Sequence, residues 1–223
     1  DVRLPHNVGD LPLNYCTPEY YNTVCGYRRP LHIEPEWIGR RIFLQFDGAA
    51  HIADVYVNSS LLSTHYCGYT AFRVEITDAV REGDNVITVR LDCTENPEIP
   101  PFGYVIDYLT YGGLYRDVWL DVRPKTCIED IFCYSGDLSS AHIDLMISGS
   151  YDDITLTVFD PDGEEVVRRN GCGMKNTLSI PDAKVWSVDD PKLYVCRAAV
   201  TNDGVTDTLE AVFGIRTAEF RKD

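Results

Sequence analysis

The sequence lacks several features that mark particular classes of protein. It contains no run of about 18 apolar residues, so neither a membrane span nor a membrane partner is predicted. Its histidines show no H-x-x-x-H or H-E-x-x-H spacing, and no G-x-G-x-x-G or Walker sequence occurs. These absences argue against a zinc site and against a dedicated nucleotide site. We therefore expect no metal and no cofactor.

Positive charge is also scarce. The 223 residues include 20 Lys and Arg against 35 Asp and Glu, which gives a net charge of −15. Such a surface repels polyanions, so nucleic acid is not an expected partner. The first residues lack an initiator methionine and the basic-then-apolar layout of a signal peptide, so we expect the sequence to begin within a longer chain.

The eight cysteines form no C-x-x-C pair. A chain of this size does not need disulfides to fold, and scattered cysteines are typical of reduced thiols that behave as small apolar side chains. Reduced thiols favour a reducing compartment, and we expect a cytoplasmic location. The positions are Cys16, Cys25, Cys67, Cys93, Cys127, Cys133, Cys172 and Cys196.

Helical periodicity is nearly absent, and short segments that alternate apolar and polar residues dominate. RIFLQFD at 41–47 places Ile42, Leu44 and Phe46 on one face, and residues 53–58 and 86–92 repeat the pattern. Turn residues separate these segments at distances typical of hairpins. The sequence therefore predicts antiparallel β-structure.

A domain boundary is predicted near Arg123-Pro124-Lys125, because proline ends a strand pattern there and a second series of strands follows. The predicted domains are residues 1–124 and 125–223. About seven short strands over roughly 90 residues are typical of an immunoglobulin-like sandwich. The Cys…Trp…Cys signature of antibody domains is missing, so this likeness concerns architecture alone.

The stretch DYLTYGGLYRDVWLDV at 107–122 changes character halfway. From Tyr115 to Val122 it alternates as a half-buried strand does, with Val118, Leu120 and Val122 on one side. The first half is a loop with two adjacent glycines, an acid and several tyrosines. We interpret Arg116 and Asp117 as structural charges that hold the strand beneath this loop.

Several separated motifs together resemble glycoside hydrolase family 2. In the first half, the motifs that resemble its sugar-binding domain are Leu4-Pro5-His6, Tyr27-Arg28-Arg29, FDGAAHIADVYVN at 46–58, HYCGYTAFRVEIT at 65–77, EGDNVITVRLD at 82–92 and GGLYRDVWLDV at 112–122. In the second half, VWSVDDPKLY at 185–194 and FGIRTAEF at 213–220 resemble the end of its immunoglobulin-like domain. The order and spacing of these motifs extend over nearly the whole sequence.

The resemblance implies an all-β chain: a jelly-roll sandwich, similar to galactose-binding domains, followed by an immunoglobulin-like sandwich. In the family a catalytic (β/α)-barrel follows and carries two glutamates, about 5–5.5 Å apart in retaining enzymes. No barrel is present in this sequence. We therefore expect no catalytic residue here, and none of the acids Glu19, Glu34, Glu36, Glu75, Glu82 and Glu95 inherits such a role.

The resemblance also implies site residues in the loop before the glycine pair. In family members an aspartate at this place contacts the glycone, the sugar cleaved from the substrate, and the matching residue is Asp107. Spacing alone favours a different interpretation, in which Asp107 is a loop acid that caps a turn or pairs with a neighbour such as Arg116. Tyr111 can stack on a sugar or anchor the loop. Asn14 lies in an irregular segment that can approach the barrel.

The sequence thus favours the non-catalytic N-terminal region of a retaining β-glycosidase, with carbohydrate and its own barrel as partners and a homo-oligomeric parent. We expect a β-galactosidase parent, and the same region of a β-glucuronidase stays open. Two alternatives of other classes are a freestanding carbohydrate-binding module and a structural module that builds subunit contacts. The sugar itself is selected largely by the barrel.

Overall fold

The structure is a computed structural model that describes residues 1–9, 17, 22–100 and 112–219. Two compact units divide the chain, Asp1–Val122 and Arg123–Asp223. Each unit has its own cluster of buried apolar side chains. The two units are described separately.

The described residues of the first unit form seven strands. They are β1 (Val24–Ile33), β2 (Arg41–Phe46), β3 (Ile52–Val57), β4 (Ser60–Tyr66), β5 (Phe72–Glu75), β6 (Gly83–Asp92) and β7 (Val118–Arg123). A short 3-10 turn, Pro35–Trp37, separates the first two strands. The strands form two antiparallel sheets, one with the order β1-β6-β3-β4 and the other with the order β5-β2-β7.

The inward faces of β2 and β3 follow the alternation in the sequence. Val55 and Val57 are fully buried in the core, as is Phe46. Phe43 points to the opposite face of β2 and is nevertheless only 3% exposed. The guanidinium groups of Arg41 and Arg73 lie 4.8 and 4.9 Å from its ring centre and cover it. The period-two pattern predicted that three β2 residues lie in the core, but it did not predict the burial of Phe43 on the opposite face.

Strand β7 is shorter than the sequence predicted. Val118, Leu120 and Val122 pack against the core as expected, but the strand begins at Val118 instead of Tyr115. The backbone carbonyl of Asp117 accepts a hydrogen bond from Asp47 N–H at 3.1 Å. The side chains of the preceding residues, Tyr115 and Arg116, bond to backbone carbonyls of neighbouring segments.

The second unit, as far as residue 219, contains seven further strands. They are β8 (Cys127–Ser135), β9 (Ser140–Ser148), β10 (Asp153–Phe159), β11 (Glu165–Arg169), β12 (Lys175–Ser179), β13 (Tyr194–Asn202) and β14 (Val205–Phe213). They also form two antiparallel sheets, with the orders β11-β10-β13-β14 and β12-β9-β8. A four-plus-three arrangement agrees with the predicted immunoglobulin-like sandwich.

Both sheets of the second unit contribute alternating apolar residues to one core. Ile143 of β9, Leu156 of β10 and Ala198 of β13 are fully buried there. Tyr194 is also buried, and its hydroxyl accepts a hydrogen bond from Lys184 N–H at 2.7 Å, so no polar atom of that side chain is left unpaired. The predicted all-β fold class of two sandwiches is confirmed.

An ion pair joins β2 to β5 and makes the stability of the first unit depend on pH. Arg41 donates two hydrogen bonds to Glu75, Nε to Oε1 at 3.0 Å and Nη2 to Oε2 at 2.7 Å. The Arg41 guanidinium holds the pKa of Glu75 below its usual range, against an opposing effect of burial. A carboxyl group with a lowered folded-state pKa stabilises the fold above its unfolded pKa, and this contribution is lost as the pH falls.

We expect Glu75→Gln to lower the free energy of unfolding by less than about 1 kcal/mol at pH 7, because the partly exposed pair is screened by solvent. Urea unfolding followed by circular dichroism measures the change. The difference between wild type and variant should shrink below about pH 4.3, where an unperturbed glutamate loses its charge. Glu210→Gln is the control, because its pair with Arg197 is about half exposed on both sides. If the difference in unfolding free energy between wild type and Glu75→Gln were unchanged at pH 3, the contribution assigned to this ion pair would be contradicted.

Candidate functional site

Residues 112–114, which follow the predicted sugar-contacting loop, are held by backbone hydrogen bonds; we call them the loop stem. Gly113 N–H donates to the carbonyl of Ala50 at 3.2 Å, and Ala50 N–H donates to the carbonyl of Gly113 at 3.1 Å. Ala50 is 2% exposed and precedes β3. The stem is thereby paired with a buried residue that lies just before β3.

The opposite edge of the stem pairs with the start of the chain. His6 N–H donates to the carbonyl of Leu114 at 2.8 Å, and Val8 N–H donates to that of Gly112 at 2.9 Å. Because successive carbonyls of an extended segment point to opposite sides, the stem bonds to both neighbours at once. The stem is therefore the middle one of three extended segments.

Only glycine fits at position 113. Its φ of +126° lies in a region that residues with a Cβ atom rarely adopt. A Cβ built there would lie 2.5 Å from the carbonyl oxygen of His6 and 3.0 Å from the hydroxyl of Tyr27. The second glycine of the pair seen in the sequence therefore has a definite role: it lets the stem approach the first segment of the chain.

Tyr27 and His6 close one side of the stem. The Tyr27 hydroxyl lies 2.8 Å from Nδ1 of His6, and the two rings meet edge to face with centroids 5.7 Å apart. Burial raises the pKa of Tyr27 to about 12, so the phenol stays protonated at neutral pH. Tyr27 belongs to β1 and thus fixes the chain start to the sheet.

Tyr115 and Arg116 fix the other end of the stem. The Tyr115 hydroxyl donates to the carbonyl of Gly68, and Arg116 Nη1 donates to the carbonyls of Asp47 and Tyr69 at 3.1 and 3.2 Å. The Arg116 guanidinium also lies 5.2 Å from the centre of the Tyr115 ring. These contacts agree with the structural role predicted for Arg116.

His51 was not singled out by the sequence but lies next to the stem. It is 2% exposed, and neither ring nitrogen has a hydrogen-bond partner among the described residues. Burial lowers the pKa of His51, so the ring is neutral at pH 7. The signal in the sequence is a histidine after Gly48-Ala49-Ala50, where small residues allow close approach of the backbone to a neighbouring segment.

The three predicted site residues, Asn14, Asp107 and Tyr111, lie outside the described residues. Their roles therefore stay predictions. Within residues 1–9, 17, 22–100 and 112–219, no three His, Cys, Asp or Glu side chains are grouped so that they can hold a metal ion. In the same part of the chain, no helix is long and apolar enough to cross a membrane. The geometry described is that of a fixed base for a loop.

Comparison with known families assigns both halves of the chain. The family described as "Glycosyl hydrolases family 2, sugar binding domain" matches residues 6–124, which is more than half of the sequence. A second description, "Glycosyl hydrolases family 2", matches residues 128–216. The chain belongs to glycosyl hydrolase family 2. The family suggested by the separated sequence motifs is thus confirmed.

Curated relatives of this family 2 chain carry two names. A beta-galactosidase of Thermoanaerobacter pseudethanolicus is 29% identical over all of the chain, which covers 32% of that protein. A beta-galactosidase of Thermoanaerobacterium thermosulfurigenes is 30% identical, with 34% of its length covered. A beta-glucuronidase of Bacteroides fragilis is 43% identical over 58% of the chain and 19% of its own length. The chain thus spans about a third of the length of the relatives that it matches throughout.

Solved structures show the same fold. The beta-glucuronidase of Parabacteroides merdae has a TM-score of 0.83 at 29% identity, with 97% of this chain and 30% of that chain covered. The beta-glucuronidase of Ruminococcus gnavus has a TM-score of 0.78 at 22% identity, over 97% of this chain and 39% of its own. The family 2 chain therefore has the sandwich fold of these enzymes.

Proposed function

We propose that this chain is the non-catalytic N-terminal region of a retaining β-glycosidase and that the predicted loop before the glycine pair completes the glycone pocket. The stem carries this proposal, because the residue that ends the loop is fixed on both sides. Gly113 pairs with Ala50, and its neighbours pair with the segment around His6. A loop that begins from a fixed base can present a side chain with little loss of conformational freedom on binding.

Asp107 is the residue that we propose to contact the sugar. A carboxylate accepts strong hydrogen bonds from neighbouring hydroxyl groups, which suits the rim of a sugar pocket. Tyr111 lies directly before the stem in the sequence and is proposed as a second contact, with Asn14 as a third. The two catalytic carboxyl groups then belong to a barrel outside this chain, and that barrel is its partner.

We propose a β-galactoside as substrate of the parent enzyme, since relatives named beta-galactosidase align with the chain over its whole length. Two observations favour a β-glucuronide instead. One is the 43% identity to a beta-glucuronidase over 131 residues, and the other is the 29% identity to the beta-glucuronidase of Parabacteroides merdae over 97% of the chain. Assays of the intact enzyme with nitrophenyl β-galactoside and nitrophenyl β-glucuronide decide between them. The preferred substrate is the one with the higher kcat/KM. A cytoplasmic location and a homo-oligomeric parent are further parts of the proposal.

The chain by itself should hydrolyse neither nitrophenyl glycoside, because the acid–base and nucleophile pair lies elsewhere. Release of nitrophenol by the purified chain, compared with buffer and with the intact enzyme, is the measurement. Hydrolysis that disappears after mutation of one acid within the chain would show that a catalytic pair is present and would overturn the proposal.

Isothermal titration calorimetry separates this function from that of a freestanding carbohydrate-binding module. A single wall of a pocket buries little of a monosaccharide, so the chain alone should bind galactose or glucuronate only weakly, with Kd of about 1 mM or above. Binding with Kd of about 1 μM would favour the freestanding module instead.

A further inference from the structure

The second unit has an open groove of about 520 Å³. Its volume lies within the range of small-molecule pockets, about 300–1,000 Å³. Three aromatic side chains and one cation line it, Phe132, Tyr134, Trp186 and Arg216. We call the space between these four residues the aromatic groove. All of its lining residues belong to the second unit.

Strand β8 supplies two of the aromatic rings. Phe132 and Tyr134 alternate with Cys133, which packs against the core, so the two rings lie on the other side of the strand. Phe132 is 60% exposed and Tyr134 is 41% exposed. Their ring centroids are 5.3 Å apart. These residues therefore offer aromatic surface to a ligand instead of filling the core.

The Tyr134 ring is held in place from the neighbouring strands. The ring of His142 on β9 stacks on it, with centroids 5.0 Å apart and an interplanar angle of 22°. Nδ1 of His142 lies 3.0 Å from Oγ1 of Thr177 on β12. Because three strands fix this ring, little conformational freedom is lost when a ligand stacks on it.

Trp186 and Arg216 supply the rest of the lining, and backbone contacts fix both. Trp186 N–H donates to the carbonyl of Ile215 at 2.9 Å. A Cβ built at Gly214 would lie 3.1 Å from the Trp186 side chain, so the glycine permits this close packing. Arg216 N–H donates to Oγ of Ser135 on β8 at 3.0 Å, and that hydroxyl donates to the Arg216 carbonyl. The two parts of the lining are thereby joined.

The guanidinium of Arg216 brings a positive charge into the groove. Its central carbon lies 4.7 Å from the centre of the Trp186 ring. Arg41 and Arg197 pair with glutamates, but no acid within the described part of the chain pairs with Arg216. A guanidinium carries several N–H donors in a planar fork that matches a carboxylate. The groove therefore combines aromatic faces with donors that suit an anion.

We propose that the aromatic groove binds a sugar that carries a carboxylate, a hexuronate. The faces of aromatic rings carry partial negative charge and attract the C–H groups on one face of a pyranose ring. Arg216 donates two hydrogen bonds to the sugar carboxylate. A purely apolar occupant fits less well, because it would bury the Arg216 charge without a partner. This inference goes beyond the proposed function, since the groove lies in the second unit and is separate from the predicted loop.

Nuclear magnetic resonance of the whole ¹⁵N-labelled chain tests the site. The probe is methyl β-glucuronide, and methyl β-glucoside is the matched ligand, with a hydroxymethyl group in place of the carboxylate. We expect the glucuronide to shift the Trp186 indole N–H signal in a saturable way, with Kd of about 1–10 mM. The glucoside should bind about tenfold more weakly. Equal affinities, or no saturable shift at Trp186, would overturn the proposal.

Two variants separate the roles of charge and stacking. Arg216→Gln should weaken binding of methyl β-glucuronide about tenfold and leave that of the glucoside within about twofold. Phe132→Ala should weaken binding of both glycosides by about threefold or more, because it removes stacking surface. If Arg216→Gln binds the glucuronide as the wild type does, the cation has no part in recognition and the assignment is wrong.

Arg197→Gln is the matched control. Arg197 also lies over an aromatic ring, that of Phe159 at 5.0 Å, but it pairs with Glu210 and does not line the groove. This variant should bind both glycosides with wild-type affinity. Melting curves identify any variant that fails to fold. Phe132 is the most exposed of the aromatic residues in the groove, so Phe132→Ala and the comparison of the two ligands remain decisive in that case.

Asp107→Asn distinguishes this site from the proposed glycone pocket. In the whole chain, this variant should leave the shift of Trp186 unchanged. If the glucuronide instead shifts only signals of the first unit, and Asp107→Asn abolishes those shifts, the sugar binds at the predicted loop. That result would overturn the groove and support the proposed function. Tighter binding of an acetylated triglutamate peptide than of methyl β-glucuronide at Trp186 would assign the groove to an acidic protein segment and would also overturn the proposal.

Discussion

Gly113→Ala is expected to destabilise the first unit by about 3–5 kcal/mol. Alanine at a φ of +126° is strained, and its Cβ would lie 2.5 Å from the carbonyl oxygen of His6. This contact is with backbone, so it cannot be relieved by rotation of a side chain. The stem must then shift and lose its bonds to His6 or to Ala50. Differential scanning calorimetry should show the melting temperature of this unit lowered by about 10–20 °C.

Gly26→Ala is the matched control in the same unit. Gly26 lies in β1, a Cβ there would meet nothing within 4 Å, and its φ is not positive. The control should change the free energy of unfolding by no more than about 0.5 kcal/mol. If both variants melt at the wild-type temperature, the close approach at Gly113 does not constrain the stem, and the basis for a fixed loop is lost.

Asp107→Asn is expected to lower kcat/KM of the intact enzyme by roughly 10- to 100-fold. The substitution keeps the shape of the side chain but removes the charge that strengthens its hydrogen bonds to glycone hydroxyls. A charged hydrogen bond contributes about 1.5–3 kcal/mol, which corresponds to that range of rates. The stability of the chain should change by no more than about 0.5 kcal/mol, because a loop acid contributes little to packing.

Asp78→Asn is the control for the chemical change itself. Asp78 is an exposed aspartate of the same unit, and its substitution should leave kcat/KM within about twofold of wild type. The decisive comparison is between activity and melting temperature. If Asp107→Asn keeps full activity but lowers the melting temperature, Asp107 is a structural turn residue, and the sugar-contacting role is wrong.

The strands were predictable because their cause is local. Alternation of apolar and polar residues in 41–47, 53–58 and 86–92 requires that one face be buried, and the structure buries that face. Burial that the alternation did not predict also has a physical cause. Phe43 lies on the other face of β2, and its burial depends on Arg41 from its own strand and Arg73 from β5, which no local pattern contains.

The base of the candidate site was only partly predictable. The glycine pair at 112–113 indicated a special backbone conformation, but the segments that require it lie far away in sequence, at His6 and Ala50. His51 was missed because a single histidine in a β-rich segment carries no periodic signal. Sequence position cannot show which backbone segments lie side by side.

The amino-acid sequence by itself determined the all-β architecture and the family, since both depend on local alternation and on the order of motifs along the chain. Only the tertiary structure decided which distant residues meet. It placed Gly113 against His6 and paired it with Ala50. The physical reason is that strand pairing and sheet packing join residues far apart in the chain. A pattern of period two fixes the face on which a side chain lies but not the neighbour it contacts.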